Sequence, residues 1–229
     1  MPLLRYDVNV VIEKVDAAAP DVKVLERAAR LINRGEVVVC PTDTGYAFSA
    51  NALNARAVAR VFQLKGRSYT NPVHMAVASI EEAERYADVN EIARQLARRF
   101  LPGALTIILP KKEIIPSILV ADMNTIGIRI PKDLIMLELI GKAGRPLTTT
   151  SANISGHPTP YSVEEIIGQM GDNISGIAMI LDRGPIPGRE LSTIVDLTAS
   201  PPQLIRQGLV SWLEVREIIN RFQHRDEQS

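Results

Sequence analysis

The chain has 229 residues, 46% of them hydrophobic, and its 26 basic side chains balance 26 acidic ones. Such a chain can bury a full core but has no bulk charge to draw it to nucleic acid. Aromatic residues at 4% argue against a base-stacking platform, and the single Cys40 excludes an internal disulfide and a cysteine-based zinc cluster.

Helix and strand signals alternate along the chain. Residues 22–34 put Val24, Leu25, Ala28, Leu31 and Ile32 on one helical face, and Gly35 stops the helix. Glu36–Cys40 reads as a buried strand ending at Pro41, with Cys40 a small buried hydrophobe. Asn54 caps a helix to Leu64, and Val73–Ala78 is strand-like. Ser79 with Glu82 forms a capping box, and Asn90 opens a helix with Ile92, Leu96 and Phe100 on one face. Pro102 and Gly103 break it before a strand at Ala104–Leu109. Then come a strand at Ile126–Ile130, a helix at Asp133–Gly141 and a strand at Pro146–Thr150. Ser162 with Glu165 caps a helix to Met170. Strands follow at Ile177–Leu181, Thr193–Leu197 and Gln203–Arg206, and Ser211 with Glu214 caps a last helix before a polar tail. The first fourteen residues lack the pattern of a signal peptide, and no apolar run nears the roughly 20 residues that span a bilayer. A cytoplasmic protein without membrane contact is expected. With no repeat or composition break, the chain reads as one α/β domain over 1–229, its core at 22–211 and a terminal helix and tail at 212–229.

Two segments carry phosphate-type chemistry. Lys65–Arg67 (KGR) sets two cations two residues apart, after a helix, before Asn71 and Pro72. In an extended segment both would face one groove, although a solvated turn reads the same way. Ser151–Gly156 (SANISG) follows an apolar strand and offers hydroxyls and an amide, which are also common turn residues. Arg129 is a charge inside an apolar strand, so it must reach a polar face, a carboxylate or a ligand. Thr42 and Thr44 lie just past a strand end, and Arg206 lies at another before Gly208. His74, His157 and His224 have no metal spacing, and neither a GxxxxGK[ST] loop nor a GxGxxG turn is present. Arg56, Arg60, Lys65 and Arg67 form one basic stretch and Arg94, Arg98 and Arg99 another. Pro185–Glu190 (PIPGRE) is a candidate lid by its Gly and Pro content.

Taken in order, PTDT, KGR with Asn71-Pro72, GIRIP, SANISG, STIVD and LIRQG resemble the YrdC/TsaC family of threonylcarbamoyl-AMP synthases from about Val22 to Ser211. The resemblance implies a twisted mixed sheet flanked by helices, with a concave ligand-binding face. It implies a nucleotidyltransferase joining L-threonine, bicarbonate and ATP into threonylcarbamoyl-AMP and pyrophosphate, for modification of adenosine in tRNA. Thr44, Arg129, Thr149 and Ser192 would then hold threonine, with Arg129 on its carboxylate. Lys65, Arg67, Asn71, Thr125, Ser151, Asn153, Thr159 and Arg206 would hold the nucleotide, and Lys65, Arg67, Ser151 and Asn153 would form the catalytic cluster. Mg²⁺ on the pyrophosphate fits this chemistry, with no metal-binding residues in the chain itself. A downstream threonylcarbamoyl-transferase protein is the implied recipient, and tRNA or double-stranded RNA a possible partner.

The chain departs from the family wording at Gly45, Ala47, Ser49 and Ala76. Its TGYAFS segment is closer to the YciO branch, whereas the KGR and SAN motifs are those of the synthases. A YciO-like paralogue, or an RNA-binding module using the same basic face, is the alternative. Carbamoyl transfer of the hydrogenase-maturation kind is disfavoured by the lack of zinc-finger cysteines.

Overall fold

The computed structural model describes residues 10–188 and 190–226. The expectations for the first nine residues, for Arg189 within Pro185–Glu190 and for the end of the polar tail lie outside them. In chain order the elements are β1 (Val11–Lys14), α1 (Val22–Asn33), β2 (Val38–Thr42), β3 (Gly45–Ser49), α2 (Ala55–Lys65), β4 (His74–Ala76), α3 (Ile80–Ala83), α4 (Glu91–Phe100) and β5 (Leu105–Pro110). They continue with β6 (Thr125–Arg129), α5 (Leu134–Ala143), β7 (Leu147–Ser151), α6 (Val163–Met170), β8 (Met179–Asp182), β9 (Thr193–Asp196), β10 (Gln203–Arg206) and α7 (Trp212–Asp226).

The strands make one mixed sheet in the order β1-β8-β2-β3-β7-β4-β6-β5-β9-β10. Helix starts follow the capping residues read from sequence at Asn54, Asn90 and Ser162, and Asp21 and Asp133 cap two more: each side chain accepts from a backbone N–H in the first turn. α1 and α5 cover one face near β2 and β8, where Leu25, Ala28 and Ile32 meet Ile135, Met136 and Leu139. On the other face α2 and α6 bury Val61 and Ile166 against Val39, Phe48 and Ile180. Further along that face Val58, Phe62 and Leu96 pack on Met75, Ile107 and Ile128. Each such side chain contributes about 1.5–3 kcal/mol by leaving water.

Several expectations need correction. β1 and β3 were not foreseen. β3 pairs antiparallel with β2 across a tight Asp43–Thr44 turn, so Thr42 ends β2 instead of following it. The strand expected at Val73–Ala78 shortens to β4, and the Ser79 box opens only one turn; Ser79 Oγ accepts from Glu82 N at 3.1 Å, while the Glu82 carboxylate accepts from Ala78 N at 2.8 Å, one residue before the cap. β8 starts at Met179, since Gly171–Gly176 winds into a 3-10 turn. Cys40 is buried and unpaired, as read, and its burial pushes the thiol pKa up.

Candidate functional site

A cavity of about 260 Å³ crosses the sheet from Thr42 on β2 to Arg206 on β10. Strand alternation creates it. Met75 of β4, Ile128 of β6 and Ile107 of β5 point into the core, so His74, Gly127, Arg129 and Thr106 face the other way. Among the residues foreseen from sequence, Thr44, Arg67, Arg129, Thr149, Ser151, Asn153, Thr159, Ser192 and Arg206 line this cavity. Lys65, Asn71 and Thr125 do not. Thr125 shares Arg129's face of β6 but lies at the strand's far end, opposite Pro110.

Arg129 is 5% exposed, and each nitrogen of its guanidinium makes one hydrogen bond. Nη1 donates to Thr44 Oγ1 at 2.6 Å, Nη2 to Asp43 Oδ1 at 2.7 Å and Nε to Gly103 O at 3.2 Å. The salt bridge and the cavity position therefore coexist. The Asp43–Thr44 turn exists to reach it, and Thr42 Oγ1 closes that turn by donating to Gly45 O at 2.7 Å.

Arg206 is aimed by a register shift between Leu204 and Arg206 where β10 meets β9. Its Nη2 donates to Ser192 O at 2.9 Å and to Ser192 Oγ at 3.0 Å. Ser192 Oγ also lies 3.1 Å from Thr106 Oγ1. Arg67 bends back on its own loop, with Nε donating to Asn71 O at 2.9 Å and Nη2 to Pro72 O at 2.9 Å. Asn71 thus serves through its backbone. Burial pulls all three guanidiniums below their usual pKa, but arginine stays charged.

Lys65 reaches the site by a route different from the extended segment expected. It is the last residue of α2, and Gly66, left-handed at φ 55°, turns the chain away. The ammonium is 2% exposed and donates to Ser151 O, Asn153 O at 3.0 Å and Asn153 Oδ1 at 2.9 Å. Its own carbonyl accepts from Ser155 N at 2.7 Å. Burial, then Arg67, pulls its pKa down to about 7. Three acceptors for three ammonium protons oppose that pull and hold the charged form. Ser151 Oγ donates to Asn153 Oδ1 at 2.5 Å, and Asn153 Nδ2 to His157 O at 2.5 Å, so one lysine organises the whole 151–157 loop.

This arrangement of a mixed sheet, a cation-lined cavity and a lysine-pinned loop has known relatives. Residues 30–208 match the Sua5/YciO/YrdC family model, described as telomere recombination. The chain belongs to this family. It is 39% identical over 196 residues to the threonylcarbamoyl-AMP synthase of Pyrococcus abyssi, covering 85% of this chain but 57% of that protein. It is 42% identical over 188 residues to the putative synthase of Methanocaldococcus jannaschii, covering 82% of this chain and 87% of that one. The structure of P. abyssi Sua5 complexed with L-threonine superposes with a TM-score of 0.86 at 37% identity, over 92% of this chain and 61% of that one. Escherichia coli YciO superposes at 0.79 with 25% identity, over 88% of this chain and 97% of that one. The chain thus spans under two thirds of the Pyrococcus relative.

Sequence reasoning weighed His74 and His157 only as metal ligands and did not single out Tyr46, Thr106 or Thr150, yet all five line the cavity. His74 had a signal, as a lone polar residue in an apolar strand, but its neighbours come from distant elements. Arg94, Arg98 and Arg99 of the second basic stretch pair with Glu84, Glu91 and Glu214, which leaves that stretch charge-balanced, and Arg60 of the first pairs with Glu36. The centre of the candidate lid is anchored, with Ile186 buried and its N–H donating to Tyr161 O at 2.8 Å. Among the described residues no group of three or more His, Cys, Asp or Glu could hold a metal, and no helix is long and apolar enough to cross a membrane.

Proposed function

We propose that the protein is a threonylcarbamoyl-AMP synthase. It joins L-threonine, bicarbonate and ATP, releases pyrophosphate, and passes the adenylate to a threonylcarbamoyl-transferase protein acting on tRNA in the cytoplasm. The observation that carries the reading is the cavity's charge. Three guanidiniums and a row of hydroxyls line it, and among the described residues no carboxylate does. Such a site suits anions, in a family whose relatives bear the synthase name.

In this reading Arg129, oriented by Asp43 and Thr44, takes the threonine carboxylate through its fork. Thr44, Thr149 and Ser192 contact the rest of the amino acid. Arg67, Arg206, Ser151, Asn153 and Thr159 receive the nucleotide, with Asn71 and Thr125 further out. A carbamate oxygen attacks the α-phosphorus in line, and the fixed cations stabilise the charge that builds on the phosphoryl oxygens. Lys65 acts mainly from behind by holding Ser151 and Asn153 in place. Among the described residues the cavity offers Mg²⁺ no carboxylate ligand, so any Mg²⁺ travels on the phosphates as part of the substrate. Residues 22–211 are the working domain, with α7 appended.

The test is pyrophosphate release from ATP and bicarbonate, with and without L-threonine, for the native chain and Lys65→Ala. Release that needs threonine and, with ATP held below its KM, falls by orders of magnitude in the variant supports the reading. Release without any need for threonine, or none from folded protein, sinks it and favours a YciO-like or RNA-binding role.

A further inference from the structure

His74 lines the cavity, yet the roles above give it no task. It starts β4 opposite Thr149 of β7. Its imidazole lies so close to β6 that a β-carbon on Gly127 would stand 2.5 Å from its Cδ2 and 3.2 Å from its Nε2. Gly127 is therefore the floor beneath the ring. Arg206 from β10, Arg67 from beyond α2 and Arg129 from β6 surround it with positive charge. Asp43 is turned to Arg129, whose Nη2 it binds. His74 is only partly buried, and its ring reaches the cavity. Burial first, then Arg206, Arg67 and Arg129, pushes its pKa down to about 4, so the ring is neutral.

Given the synthase reading, on which this inference rests, the first half-reaction needs a base inside the cavity. An ammonium group is repelled by three guanidiniums, so the amine enters with its extra proton left in solvent. Its lone pair then forms a C–N bond to the carboxyl carbon of bicarbonate, and hydroxide is expelled. The nitrogen must shed one proton, and the hydroxide needs one to leave as water. Amine plus bicarbonate thus gives carbamate plus water, with no net proton change. Arginine cannot accept that proton, and the Tyr46 hydroxyl is committed to Gly184 O at 2.8 Å. His157 is an exposed loop residue. We propose that His74 is the proton shuttle of amine carboxylation, taking the N–H proton as the C–N bond forms and returning it to the departing hydroxide. The carbamate is left as an anion among the three guanidiniums, ready for the α-phosphorus.

The experiment compares threonine-dependent pyrophosphate release in the native chain, His74→Ala, His74→Gln and Gly127→Ala, with thermal unfolding as the check on folding. His74→Ala is expected to lower kcat about 100-fold while the KM for ATP stays within about twofold. Added imidazole should restore part of the loss, more so as rising pH frees its base form. His74→Gln should stay slow, because an amide hydrogen-bonds but carries no proton. Gly127→Ala displaces the ring without removing it, and should lose kcat even if His74→Ala does not fold. Native turnover in His74→Gln, or a slow His74→Ala that imidazole leaves unchanged, would overturn the shuttle. A native chain that releases no pyrophosphate with threonine fails at an earlier point, and defeats the synthase reading itself.

Discussion

Lys65 and Arg129 are comparably buried cations, 2% and 5% exposed, and each has three protein acceptors, yet only Arg129 lines the cavity. Lys65 spends its three protons on the loop it supports. Arg129 is braced by one carboxylate, one hydroxyl and one carbonyl, which leaves one N–H on each Nη for the carboxylate contact proposed above. A compact ammonium with three donors suits a pin, and a planar guanidinium suits a preorganised receptor. One site thus uses two cations in two ways, and motif reading assigned both to ligand contact.

Removing each cation breaks the comparison from its own side. Arg129→Ala strips Asp43 of its partner and the cavity of its receptor. It should cost about 3–5 kcal/mol in denaturant unfolding and about 1,000-fold in kcat/KM for threonine. Lys65→Met keeps bulk but strands the three oxygens that Nζ binds. It should cost about 1–3 kcal/mol of stability and mainly raise the KM for ATP, measured by pyrophosphate release. If Lys65→Met instead lost only kcat, Lys65 would be a direct phosphate ligand and the contrast would disappear.

A pH series sharpens the electrostatic side. The pKa of His74 is depressed in the folded state, so the unfolded chain binds more protons between pH 6.5 and about 4. Its share of stability is present above pH 6.5 and is lost as pH falls through that window. The unfolding midpoint should therefore drop more steeply in the native chain than in His74→Gln over that range. Arg60→Ala is the control, since Arg60 and Glu36 are about half and a third exposed on the surface. It should cost under about 1 kcal/mol and leave turnover unchanged.

Much of this was legible in the chain itself. The helix starts were marked by Asn54, Asn90 and Ser162 because caps act within one turn. β3 was missed because GYAFS carries small residues and is buried on both faces, which erases the alternation of a half-exposed strand. The residues along KGR and SANISG were readable, but Lys65's role was not, since α2 runs one residue further than its spacing suggested and points the side chain at Ser151. His74 escaped because Arg67, Gly127, Arg129 and Arg206 meet around it only through the sheet order, which no local spacing encodes.

The most direct measurement supplies ¹³C-bicarbonate, ATP and L-threonine to the native protein and identifies the adenylate by mass spectrometry. The account predicts a threonine-containing adenylate that carries the ¹³C label, together with pyrophosphate. An unlabelled adenylate, or no adenylate from folded protein, would contradict it.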